Sequence, residues 1–362
     1  MKVGITALAY SLPKNKITNS DLAQRFGEAY INKILPTTGI LERRSAGKDE
    51  CASDFAINAA EKIFAMGVER QSIDLLVFGT QMPDYQMPTT ACIIQNKLGL
   101  PTSCAAFDVN LGCSQFVYGL GIANAWIKSG MAKRALVLAG DTPTRVLNPK
   151  DNVVAPLFGD GAAAAIVEEV SEGGFKEFDF GTDGRGWKDL IRRTSGLREP
   201  PSPETAVEKA DKSGAVRSLD DMFMDGGNIF LFAINSVPIS VRKVLGKSGM
   251  SIGDINLFVF HQASELIIRS FAKLLKIPSE KMHFKLHDVG NTGGSTVGIT
   301  LADAIMNGKV NPGDKVLLSA FGVGLSWGSC VLEWSPDFIG ASSDADFKDS
   351  PPKPQSQICG GK

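Results

Sequence analysis

The sequence predicts an α/β protein organised around a mainly parallel sheet with covering helices. Short β-branched runs alternate with longer helical patterns along the chain. Two of the strand stretches also recur at one spacing. "DLLVFG" from Asp74 lies on "NLFVFH" from Asn256, and "KRALVL" from Lys133 lies on "KVLLSA" from Lys315, both at an offset of 182 residues. A shared offset suggests an internal duplication, although any two α/β units look alike at this level.

In chain order, "IDLLVFGT" (73–80) reads as a buried strand and "TTACIIQNKLGL" (89–100) as a helix closed by Gly99. "CAAFDVN" (104–110) is a strand, 114–130 a helix and "RALVLAGD" (134–141) a strand. In the second half "INLFVFHQ" (255–262) is a strand, 264–276 a helix, 294–309 a helix and "KVLLSAFGVG" (315–324) a strand. The Gly- and Pro-rich stretch 181–214 is too irregular for core and suits pocket walls or a lid. These patterns divide the chain into an N-terminal half (1–170), an irregular lid region (171–226), a C-terminal half (227–334) and a tail (335–362). The tail is rich in Pro, Ser, Asp and Lys and poor in large apolar residues, so it is expected to be disordered.

Composition narrows the function classes. With 43% hydrophobic residues the chain can bury a sizeable core, and a formal net charge of −1 provides no field to recruit nucleic acid or an anionic membrane. No run of about 18 apolar residues marks a membrane span, and "MKVGITALAYSLP" lacks the cleavage site of a secretory signal. The cysteines at 51, 92, 104, 113, 330 and 359 form no Cys-x-x-Cys and no histidine-paired cluster. Reduced thiols in a cytoplasmic protein, with neither metal nor cofactor, are the expectation.

The offset pairs Gly79 with His261, each at the carboxyl end of a strand, and Cys113 with Ser295, each near the start of a helix. Ligands of open α/β sheets sit beyond the carboxyl ends of the strands, so a pseudo-twofold arrangement would bring Cys113 and His261 to one crevice. Cys113 follows Gly112 at a strand-to-helix turn, where unpaired N–H groups favour a thiolate; an inert buried thiol fits the same context. His261 ends an apolar strand and faces either the crevice or a satisfied core site. In "VGNTGGST" (289–296), glycines around Asn291 form a turn that presents its amide, a pattern that also serves ordinary helix capping. "SAFGVGLSWGS" (319–329) is either an oxyanion-holding Gly turn or a plain hairpin. Asp160 in "FGDG" reads as a structural clasp.

Taken together, "NLGCSQF", "FGDGAAAAIV", "MDGGNIFLFA", "FHQAS", "VGNTGGS" and "FGVGLSWGS", in this order, resemble β-ketoacyl-acyl-carrier-protein synthase III of the thiolase-fold condensing enzymes, over residues 1 to about 334. The resemblance implies a thiolase-like, duplicated α/β/α/β/α five-layer fold and a homodimer. It places the family's Cys-His-Asn triad on Cys113, His261 and Asn291. It places an oxyanion N–H at Val323, a phenylalanine beside the departing carboxylate at Phe321, and a residue reaching into the partner subunit's acyl pocket at Met87. It further implies an acyl-Cys intermediate and decarboxylative condensation, with acyl-coenzyme A or an acyl carrier protein as primer source and malonyl-carrier protein as donor.

Asn291 separates the chain from elongating synthases, which carry a second histidine, and "FGVG" from biosynthetic thiolases, which carry a second cysteine there. The chain also departs from the family pattern. Ser264 stands for an asparagine, Leu41, Asn152 and Leu266 stand for arginines, and "EAYINKI" lacks a tryptophan. Recognition of coenzyme A in the usual manner is therefore not implied, and the departures point to a specialised rather than a housekeeping synthase. Arg269, Lys273 and Lys276 fall at i, i+4 and i+7 and form either a carrier-docking stripe or a solvated face. Acyl transfer to a hydroxyl or amine without carbon–carbon bond formation is the competing activity. A papain-like hydrolase lacks its local signatures here, and a non-catalytic dimer partner would form no adduct on Cys113.

Overall fold

The computed structural model describes residues 1–344. Its two main sheets are built from β1 (Val3–Ser11), β2 (Leu75–Gly79), β3 (Ala105–Val109), β4 (Arg134–Asp141), β5 (Gly161–Glu169), β6 (Gly174–Thr182), β7 (Leu257–Phe260), β8 (Lys315–Gly322), β9 (Ser326–Glu333) and β10 (Gly340–Ser342). The first sheet runs β10-β1-β5-β4-β2-β3 and the second β7-β8-β9-β6. Both contain the same core. β2 and β4 are parallel, as are β7 and β8; β5 and β9 then run antiparallel to the strands on either side of them.

Alternating side chains of these strands face different layers, as the strand period of two requires. On β2 and β4, Leu76, Phe78, Leu136 and Leu138 pack outward with Ala56, Ala59 and Ile63 of α2 (Ala52–Ala65) and Ile94 of α3 (Thr90–Lys97). Leu75, Val77, Ala135 and Val137 pack inward on α4 (Gln115–Lys128). The outer face of the second sheet is covered by α5 (Gly226–Lys247) and α6 (Glu265–Leu275), through Val237, Val241, Phe271 and Phe258. Between the sheets, α4 and α7 (Thr296–Met306) share one core with Val259, Val316 and Leu318. The order is thus helix, sheet, helix, sheet, helix. The five layers implied by the motifs are present.

Several expectations are corrected. The sheets are mixed rather than mainly parallel, because the alanine run of β5 and the hairpin partner β9 are antiparallel strands. Alanine carries little strand propensity of its own; burial on both faces of the sheet makes this run a strand. The region 171–226 is not wholly irregular, since β6 is a regular strand of the second sheet. The tail is ordered through Asp344: β10 pairs in parallel with β1, and Asp344 accepts from Ser11 Oγ, Leu12 N and Lys62 Nζ. The rest of the expected tail lies outside the described residues. α5 is long and apolar enough to cross a membrane by length and composition, but its Val237, Val241 and Val244 are buried in the outer core of the second sheet.

Candidate active site

Cys113 sits in the turn between β3 and α4, where Gln115 N donates to Gly112 O at 2.9 Å. The β8–β9 hairpin reaches across from the other sheet to meet it. This approach depends on two glycines: a Cβ on Gly322 would lie 2.7 Å from Cys113 Sγ, and one on Gly112 would lie 2.8 Å from Val323 Cβ. The backbone N–H of Val323 lies beside the Cys113 sulfur and favours its ionised form. Burial nevertheless dominates the thiol's acidity, pushing it up to about 12, with the nearby Asp141 charge acting in the same direction. The helix-start position alone would have favoured the thiolate; enclosure between two sheets outweighs it.

His261 follows β7 directly, and its N–H donates to Ser319 O of β8 at 2.8 Å. Its ring stands edge-on to Phe321 at 5.2 Å and 81°, and Nδ1 lies 2.6 Å from Thr296 Oγ1 at the start of α7. Burial pushes the imidazole down to about 3, so the ring is neutral. With Nδ1 engaged by the hydroxyl, Nε2 is the atom left for a bound molecule. Gln262 braces the segment that follows: its Oε1 accepts from Lys285 N and Leu286 N, and its Nε2 donates to Phe260 O.

Asn291 is held on both sides of its backbone, its N–H donating to Leu157 O and its carbonyl accepting from Gly159 N, both at 2.9 Å. Gly290 and Gly293 flank it at φ +74° and +62°, where only glycine is unstrained. Gly293 N donates to Asn291 Oδ1 at 3.1 Å, which fixes the amide and leaves its NH₂ as the free donor. Asp160 performs the clasp role expected of it, accepting from Ala46 N at 2.7 Å and Thr144 N at 3.0 Å.

Cys113, His261, Asn291 and Phe321 line a single cavity of about 410 Å³, a size typical of small-molecule sites. Its outer part is formed by Tyr30, Lys33 and Thr37 of α1 (Glu28–Thr38), with Asn152, Ser264 and Leu266. Among the described residues lining it, Lys33 is the only charged one. Ser264 also caps α6, accepting from Ile267 N.

The remaining motif residues are not brought into this cavity. Met87 is 86% exposed and lies outside the lining. Arg269 is exposed but engaged, donating to Glu265 Oε1 and lying 5.3 Å over the Phe284 ring. Lys273 projects from α6, whereas Lys276 lies just past its end at φ +57°, so the expected stripe is not one continuous helix face. Sequence reasoning missed Thr296, Gln115 and Asp141, whose bonds join segments distant in the chain and, between Asp141 and Gly294, cross from one half to the other. Only the local motif "NTGGST" points toward the first of them.

Comparison with known proteins agrees with this architecture. Residues 107–184 match the family model for 3-oxoacyl-[acyl-carrier-protein] synthase III, and residues 245–334 match that for its C-terminal part. A β-ketoacyl-[acyl-carrier-protein] synthase III of Fusobacterium nucleatum is 36% identical over 335 residues, covering 92% of this chain and 99% of its own. A crystal structure of a 3-oxoacyl-(acyl-carrier-protein) synthase III superposes with a TM-score of 0.90 at 40% identity, covering 92% and 100% of the two chains. The priming β-ketosynthase of the R1128 polyketide pathway superposes at 0.81 with 28% identity, covering 92% and 96%. The chain belongs to the β-ketoacyl-acyl-carrier-protein synthase III family of thiolase-fold condensing enzymes.

Proposed function

We propose that the protein is a condensing acyltransferase that extends an acyl group by decarboxylative condensation with malonyl-acyl carrier protein, at the start of fatty-acid synthesis or of a specialised acyl or polyketide pathway. The observation that carries this reading is the convergence of Cys113, His261 and Asn291 on one apolar cavity. In the first step the Cys113 sulfur attacks the carbonyl carbon of an acyl thioester. The sulfur–carbonyl bond of the incoming thioester breaks, and its thiol, of coenzyme A or a carrier protein, leaves with the cysteine's proton.

In the second step a malonyl thioester loses carbon dioxide. The electron pair of the broken bond passes into an enolate, whose oxygen is held by the Nε2–H of His261 and the amide of Asn291. A neutral imidazole suits this role because it can donate without carrying charge into a dry cavity. Phe321, edge-on to His261, supplies an apolar wall beside the carboxylate that is leaving. The carbanion then attacks the acyl-cysteine carbonyl, whose developing negative oxygen is held by the N–H groups of Val323 and Cys113. A carbon–carbon bond forms, the sulfur leaves and regains a proton, and a 3-oxoacyl thioester is released. Metal and cofactor are not required by any of these steps.

The test is intact-protein mass spectrometry after incubation with a panel of acyl thioesters, followed by carbon dioxide release from malonyl thioester. The expected result is one acyl mass on the wild type, its absence in Cys113→Ser, and carbon dioxide released in proportion to 3-oxoacyl product. Acyl transfer to a hydroxyl or amine with no carbon dioxide released would overturn the reading.

A further inference from the structure

Cys113 and Asn291 belong to opposite halves of the chain, so something must hold them in register. Asp141, at the end of β4, is 3% exposed and receives four hydrogen bonds. Its Oδ1 accepts from Gln81 N at 2.9 Å and Thr80 Oγ1 at 3.3 Å. Its Oδ2 accepts from Gln115 Nε2 at 3.0 Å and Gly294 N at 2.9 Å. Gln115 lies two residues beyond Cys113, and Gly294 three beyond Asn291. One carboxylate oxygen therefore ties the nucleophile's helix to the amide's loop.

The surrounding backbone makes room for this pair. A Cβ on Gly293 would lie 2.7 Å from Asp141 Oδ2, and one on Gly294 would lie 2.0 Å from Gln115 Nε2. A Cβ on Gly79, at the end of β2, would lie 2.8 Å from the Gln115 Cβ. Three glycines from both halves are thus required by the same two side chains. That explains the double glycine of "NTGGST", which Asn291 alone does not.

Resting on the condensation reading above, we propose that Asp141, acting through Gln115 and Gly294, is a positioning residue that sets the Cys113 sulfur and the Asn291 amide at the separation condensation needs. Misplacing reacting groups by about 1 Å costs on the order of 10²-fold in rate. An ionised carboxylate can accept all four bonds, whereas an amide in its place presents an NH₂ to two donors. The groups facing Asp141 from the other elements are neutral donors, namely the Gln81 and Gly294 N–H groups, the Thr80 hydroxyl and the Gln115 amide. Burial pushes the Asp141 carboxyl up to about 7, so above that pH it is charged and opposes ionisation of its titratable neighbour Cys113.

The experiment compares the wild type with Asp141→Asn and Gln115→Met by steady-state condensation, by the pH profile of Cys113 alkylation with iodoacetamide, and by thermal melting. For Asp141→Asn the expected result is a kcat roughly 10- to 100-fold lower with KM values changed less than about threefold. The alkylation midpoint should at the same time move to lower pH, because the opposing charge is gone. Gln115→Met keeps that charge and breaks only the link to the helix, so its kcat should fall while its alkylation midpoint stays. If Asp141→Asn does not fold, Gln115→Met decides on the same readouts. A wild-type kcat in either folded variant, or a loss matched by KM alone, overturns the proposal. A wild type that forms acyl-Cys113 but releases no carbon dioxide, or forms no adduct, sinks the condensation reading itself, and the alkylation profiles still report whether Asp141 acts on the sulfur.

Discussion

His261 shows how a neighbour one layer away sets the chemistry of a side chain. The Thr296 hydroxyl is 2.6 Å from Nδ1, and among the described residues no charged group competes for the ring. Replacing Thr296 by Val removes that hydroxyl at nearly constant volume and leaves a buried ring nitrogen unsatisfied, at a cost of about 1–3 kcal/mol. Thr296→Val is expected to lower carbon dioxide release from malonyl thioester by roughly 10- to 100-fold. Acylation of Cys113, followed by mass, should change much less, and Thr296→Ser should restore the release to within a few-fold. Equal release by Thr296→Val and wild type would show that the hydroxyl does not orient the ring. Cys113, His261 and Asn291 drew notice because each stands at a strand end or between glycines, but each pattern left an inert reading open, and their grouping came only with the family resemblance. Thr296, Gln115 and Asp141 drew none, because the bonds that give them meaning join segments 26 to 153 residues apart.

Among the elements, those that periodicity could read were the ones buried by one face or rich in β-branched residues: β2, β4, β7 and helices α3, α4, α6 and α7 fall within a few residues of the sequence expectation. β5 escaped because five consecutive small residues, Gly161 to Ala165, carry no strand signature until two sheet neighbours enclose them. α6 carries a functional expectation as well as a structural one. Its Leu266 and Ile267 line the cavity while Lys273 and, just past its end, Lys276 are exposed. Arg269 is already paired with Glu265, so a docking acidic carrier would meet chiefly the two lysines. Lys273→Glu combined with Lys276→Glu should raise KM for a carrier-borne malonyl donor about tenfold and reduce its salt dependence, since rim charges act mainly on encounter. With a donor borne on a small thiol the rate should stay unchanged. Equal KM values on the carrier would remove these lysines from the docking surface.

At the scale of the whole molecule, the offset of 182 residues survives in β2 and β7, α4 and α7, and β4 and β8; among the described residues β3 has no counterpart strand in the second sheet, and the halves diverge again after β4 and β8. The connection from β4 to β5 is a long excursion through Asn152 and Phe158 that walls the cavity, whereas β8 and β9 are joined by the tight turn that brings Val323 to Cys113. Duplication thus explains the frame, and unequal loops explain why the site at the junction is asymmetric. The first sheet is also left open. Among the described residues β3 pairs with β2 alone, and its residues are half-buried, with Phe107 packed on Trp126 at 6.0 Å near that edge. Tyr85 and Met87 stand exposed in the loop after β2, and Phe180 is 42% exposed beside Tyr118. An uncovered edge strand with apolar neighbours invites pairing with another chain, and a second copy joined edge to edge would bury this surface and carry Met87 toward the other subunit. The chain is therefore expected to sediment at twice its 38.6 kDa mass at micromolar concentration. Phe107→Lys, which places a charge at the edge, should shift it toward monomer. Met87→Ala should leave the dimer intact while changing which acyl chain length is retained on Cys113. A wild-type monomer with full condensing activity would mean that each chain builds its acyl pocket alone.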